Sequence, residues 1–198
     1  TLSVLLFFVL PTFLAHLIER GAGLQNSSVA VNVIEGSIRL ILLIGYIWAI
    51  GLMSDVKRLY GYHGAEHKTI NAYEAGAELT PPSVARFPLE HPRCGTAFLL
   101  SVVVISILVY SLLPPLDILP RILSRLVLLP VIAGIAYEFL KFTAAHQSNA
   151  LIRLITKPNL ALQHLTTREP DMEMLAVAIA AFENVLDYER SQAAVHMG

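Results

Sequence analysis

The chain has 198 residues, of which 55% are hydrophobic and only 15% charged. Ordinary soluble domains carry roughly 25% charged residues, so the deficit argues for a membrane protein. A net charge of −1 offers no cationic patch for nucleic acid, and the single cysteine, Cys94, excludes an intramolecular disulfide while leaving a thiolate for a metal.

Thr1 is not an initiator, so the chain reads as a fragment or a processed product. Residues 1–18 lack the basic flank and small-residue cleavage site of a signal peptide. Four apolar runs are expected to cross the bilayer as helices: residues 2–18 (interrupted by Pro11), 33–53, 97–113, and 122–142. Pro130 breaks the last run, and its Ala133, Gly134 and Ala136 permit close helix contact. A span needs about 20 apolar residues, so the first and third runs are short.

The expected fold is all-α: a polytopic membrane protein with about four transmembrane helices and a small cytoplasmic, helical metal-binding module. By this reading residues 1–56 hold spans one and two, 57–96 the module, 97–142 spans three and four, and 143–198 a cytoplasmic tail. Orientation follows from the cations. Lys57, Arg58, Lys68, Arg86 and Arg93 lie between the second and third runs, and Lys141, Arg153, Lys157, Arg168 and Arg190 at or beyond the end of the fourth. The other two connections are poorer, with Arg20 in one and Arg121 and Arg125 around the other. The positive-inside bias then puts module and tail in the cytoplasm of a bacterial plasma membrane.

Within the module, residues 62–75 read as a helix closed by Gly76. Thr80 and Pro81 open a second short helix, as N-cap and first helical residue, which should stop before Pro88. In the tail, residues 150–165 mix apolar and basic residues as an interfacial segment does. A last helix follows with Pro170 in its first turn. Leu175, Ile179, Phe182 and Leu186 form its apolar stripe, which is expected to pack on the module or on a partner.

The strongest chemical signal is His63-x-x-Glu66-His67. One turn of helix points both imidazoles the same way, so they can share an ion. Two histidines at this spacing bind zinc, and the intervening Glu serves as general base. His91 and Cys94 add a nitrogen and a sulfur in a tight turn. Glu74 is a candidate third ligand or partner of a ligand. Glu138 in the fourth run reads either as a distant ligand or as half of an ion pair with Lys141. Arg93 suits a phosphate or carboxylate. Four protein ligands would make a closed, structural zinc site; three leave a position open for catalysis. His16, His146, His164 and His196 read as ordinary surface or hydrogen-bonded residues. Asn32, Glu35 and Arg39 share a face of the second run and read as helix-packing groups.

The segments YHGAEHKTINAYEAG, HPRCGTAFLL, LLPVIAGIAYEFLK and LQHLTTREPD followed by EMLAVAIAA resemble the bacterial YqhQ family, a membrane family of unknown function described as metal-dependent enzymes. The resemblance covers residues 32–181. It implies that His63, Glu66, His67, His91, Cys94 and Glu138 occupy functional positions. A glycine-rich GGQAVIEGV-like stretch usual in the family is absent here. The expected function is a zinc-dependent hydrolase at the cytoplasmic face of the bilayer, acting on a peptide or a lipid-linked group. The alternative is a scaffold or assembly factor with a structural metal, working with other membrane proteins. A transporter is the weaker reading, since only Glu35, Arg39 and Glu138 offer a polar path.

Overall fold

A computed structural model describes residues 2–24, 27–114 and 116–196, the last four of these by backbone alone. Nine helices are described: α1 (Leu2–Ala22), α2 (Ser28–Ile50), α3 (Ser54–Glu74), α4 (Pro81–Val84), α5 (Gly95–Ser111), α6 (Ile118–Val127), α7 (Leu129–Ala145), α8 (Ala150–Gln163) and α9 (Met172–His196). No strand occurs among the described residues. They form two compact units. One comprises Thr1–Ala49 and Pro92–Leu162, the other Ile50–His91 and Gln163–Gly198.

In the first unit α1 and α2 are long and apolar enough to cross a membrane. At 1.5 Å per residue they reach about 31 and 35 Å, against a hydrocarbon core of about 30 Å. Helices α6 and α7 meet at Leu128 with a bend of 46° and reach membrane length only as a pair. Pro130, in the first turn of α7, has no N–H to continue the α6 ladder. Large apolar side chains such as Phe13, Ile41, Trp48 and Val131 face outward, as lipid contact requires, which supports membrane association. The third apolar run departs from expectation. It forms the 17-residue α5, only about 26 Å long, because Cys94 starts the helix and the chain leaves it before Pro114. Among the described residues, the helices long enough to span therefore number two, or three with the bent pair as one.

The charges of this unit are also placed differently. Arg121 and Arg125 do not sit in a connection; both are buried on one face of α6. Arg125 reaches across to Glu35 through Nε (3.0 Å) and Nη2 (2.8 Å), and Arg39 bonds the same carboxylate at 2.9 Å. Thr12 donates to Glu35, and Arg39 also donates to Ser106 and the Phe7 carbonyl. Arg121 grips Glu19 with both amino groups, at 2.7 and 3.2 Å. Asn32, Glu35 and Arg39 thus do join helices, as their shared face implied. Glu138 and Lys141 are both exposed and form no ion pair, since exposed charges gain little by pairing.

The second unit is a helical module. Helix α3 starts eight residues before the expected helix and ends where glycine demands it: Gly76 adopts a φ of +68°. The expected stripe of α9 packs on α3 and α4. Leu175 and Ile179 join Ala65, Ala72 and Val84 in a buried core, with Leu79, Phe87 and Met174 around it. Asp171 rather than Pro170 opens α9, its carboxylate accepting from the Met174 N–H at 2.8 Å. The tail is therefore divided. Helix α8 up to Leu162 belongs to the first unit, and Gln163 onward to the module. Close contact between the two stretches of the module depends on Gly64, where a Cβ would lie 2.3 Å from the Arg168 carbonyl oxygen.

Candidate metal centre

Three imidazoles converge inside the module. His63 and His67 stand one turn apart on α3, with ring centroids 4.3 Å apart, and His91 approaches His67 at 5.8 Å. His67 and His91 are buried and His63 is half-buried. The ligand atoms of His63 and His67 lie within 4.8 Å of each other, a separation one ion can bridge.

Two backbone carbonyls set the tautomers. His63 Nδ1 is 2.9 Å from the Thr166 oxygen, and His67 Nδ1 bonds the Leu89 oxygen. A carbonyl only accepts, so each Nδ1 carries its hydrogen and, in the neutral ring, each Nε2 keeps its lone pair. That is the arrangement metal-ligating histidines adopt. The donor set and the fixed tautomers fit zinc.

The loop carrying His91 is fastened at several points. Asn71 Nδ2 donates to the Pro88 and Glu90 carbonyls, both at 3.0 Å. Gln163 Nε2 donates to the His91 carbonyl at 2.8 Å, and its Oε1 accepts from the His91 N–H at 2.9 Å. Glu74, at the last turn of α3, brings Oε2 to 3.7 Å from His91 Nε2. Lys68 points the other way and ties down the α4 segment. Its Nζ donates to the Ala85 and Phe87 carbonyls and pairs with Glu169 at 2.9 Å.

The structure therefore gathers His63, His67, His91 and Glu74. Glu66 is exposed on α3, and its carboxylate makes no ion pair with the three rings among the described residues. Cys94 and Arg93 follow His91 in the chain and belong to the first unit. Cys94 is buried at the N-terminus of α5, its Sγ accepting from the Thr96 N–H at 3.4 Å, whereas Arg93 is exposed. Glu138 lies exposed on α7, also in the first unit. His164 makes an ion pair with Glu90 at 2.9 Å, in keeping with its ordinary reading. Thr166, Leu89, Asn71 and Gln163 escaped the sequence reading. A backbone carbonyl has no sequence signal, and a lone Asn or Gln is indistinguishable from a surface amide.

Membrane-length apolar helices and a helical module built around clustered histidines define the class: an all-helical, membrane-associated protein with a candidate metal centre. The chain belongs to the family described as "Protein of unknown function (DUF1385)", whose model matches residues 1–188. It is 37% identical over 187 residues to "Uncharacterized protein YqhQ" of Bacillus subtilis (strain 168). That match covers 94% of this chain and 58% of the relative, so the chain spans less than two thirds of the relative's length. The resemblance read from the motifs is thereby borne out. No solved structure matches the chain.

Proposed function

We propose that the protein is a membrane-bound, zinc-dependent hydrolase whose metal is held by His63, His67 and His91. The observation that carries the reading is the pair of carbonyl-bound Nδ1 atoms on His63 and His67, which sets both Nε2 atoms as acceptors one helical turn apart. The exposure pattern supports a catalytic role. His63 is half-buried, and Glu66 and Glu74 are exposed on the same helix, so water has access from that side. Zinc would supply Lewis acidity, polarising a carbonyl or phosphoryl oxygen. Glu66, adjacent to His67, is assigned the proton from the attacking water, and Glu74 orients the His91 ring. Arg93 suits an anionic group of a peptide or lipid-linked substrate. We assign the module to the cytoplasmic side, on the strength of Lys57, Arg58, Lys68 and Arg86.

The second reading is a closed, structural site in which a fourth ligand fills the open position and the metal staples a scaffold.

The test is elemental analysis of detergent-purified protein with His67→Ala and Glu66→Gln beside the wild type, followed by cobalt substitution. About one zinc per chain is expected, lost in His67→Ala and retained in Glu66→Gln. Metal-free, folded wild type overturns both readings. In the cobalt form, a spectrum perturbed by hydroxamate marks an open position and the hydrolase. An unresponsive spectrum marks the closed site.

A further inference from the structure

Five carboxylate or guanidinium groups of the first unit are almost wholly buried: Glu19, Glu35, Arg39, Arg121 and Arg125. Three are guanidiniums, which do not give up their proton in proteins, and two are carboxylates. Glu19 is matched by Arg121, so the imbalance falls at Glu35, whose one carboxylate serves both Arg39 and Arg125. His16, 3.4 Å from Glu19, can only add positive charge. Aromatic faces take up part of the excess, with the Arg125 guanidinium 4.0 Å from the centre of the Tyr110 ring. A full net charge remains among membrane-length helices, where it is costly without a partner.

A cavity adjoins this excess. It measures about 10 Å³ and is lined by Arg121, Arg125, Asn32, Ser28, Tyr110 and Glu19, together with apolar residues of the α5–α6 connection. A volume near 10–15 Å³ admits one particle of roughly water size, and the pocket is partly open to solvent. A water would fit but would leave the charge unanswered.

We propose that this cavity is a binding site for a monatomic anion of the chloride class, the counter-ion that completes the Glu35–Arg39–Arg125 network. The site has Arg125 and Arg121 in its wall for charge, and the anion's donors are the guanidinium N–H groups not spent on Glu19 and Glu35. Ser28 and Asn32 spend their donors on the Leu113, Ser28 and Tyr110 carbonyls. It is independent of the histidine cluster and would persist if that cluster bound no metal.

The experiment compares wild type in detergent in sodium chloride and sodium gluconate of equal ionic strength, by thermal unfolding and by saturable broadening of the ³⁵Cl resonance. A binder of the folded state raises Tm by mass action, so a higher Tm in chloride and saturable broadening are expected. Two variants remove the surplus by opposite routes: Asn32→Asp adds a negative charge in the wall, and Arg39→Gln deletes a positive one away from it. Each should weaken the chloride response roughly tenfold or more, as loss of one unit of charge at this range implies. If Asn32→Asp fails to fold, Arg39→Gln carries the test. Equal Tm in both salts with no broadening overturns the site, as does an undiminished chloride response in a folded variant.

Discussion

Gln163 holds His91 by both of its backbone groups, accepting from the N–H at 2.9 Å and donating to the carbonyl at 2.8 Å. The amide is fully buried, and both its oxygen and its nitrogen serve to place one residue of the histidine cluster. Gln163→Leu leaves a buried donor and acceptor unmade. At about 1–3 kcal/mol for each unsatisfied group, the module should lose about 2–6 kcal/mol in denaturant melts. Zinc affinity should fall by about 10–100-fold, as for other residues that orient ligands. Gln163→Glu keeps the acceptor alone and should fall between.

Gly64 should be the least replaceable glycine of α3. The Cβ of Gly64→Ala would press on the Arg168 carbonyl at 2.3 Å and on Leu89 at 2.8 Å. Leu89 is the residue whose oxygen receives His67. Overpacking of this kind costs about 1–3 kcal/mol, more than the helix propensity alanine brings, about 1 kcal/mol. Gly45, exposed on α2 with nothing within 4 Å of its Cβ position, is the control. There alanine should be neutral or stabilising by thermal melt.

Lys68 and Glu169 form an ion pair whose two ends differ in burial. The lysine side chain is 5% exposed and the glutamate 68%. Lys68→Met strips the donor from the Ala85 and Phe87 carbonyls and should cost about 2–4 kcal/mol. Glu169→Gln removes only a solvated charge and should cost about 1 kcal/mol or less. Equal losses in urea melts would show that the ion pair, not the carbonyl clamp, holds the segment.

Removing Glu35 should be among the most damaging changes in the membrane unit. Glu35→Gln leaves Arg39 and Arg125 buried without their shared carboxylate. Breaking such a pair from one side costs about 3–5 kcal/mol, so loss of the folded fraction in detergent chromatography is expected. Ser37, on the exposed side of the same helix, should accept alanine without change.

The sequence made the helices legible where apolar length or a conformational constraint dictated them. Gly76 ended α3 and Thr80-Pro81 opened α4 as glycine and proline chemistry require. The His63–His67 spacing was readable because a helical turn converts it directly into proximity. Other features depended on partners distant in the chain. Arg121 and Arg125 looked like connection cations until α6 turned them toward Glu19 and Glu35. The tail read as an interfacial stretch to residue 165 followed by a helix, because composition does not mark Leu162, where the chain passes from one unit to the other. Glu66 belongs to a motif in sequence, but α3 leaves its side chain exposed.

The acceptor for His63 is the carbonyl of Thr166, 103 residues downstream. At a synthesis rate of about 5–20 residues per second, the His63 ring waits some 5–20 seconds for its partner. Meanwhile α5 to α8 are made and must find their place. On the ribosome the module is a half-built object, its first stretch emerging well before its second. Ordering of the histidine cluster thus waits on the second stretch. A chain stalled before Thr166 would carry both α3 histidines with the tautomer of His63 unset.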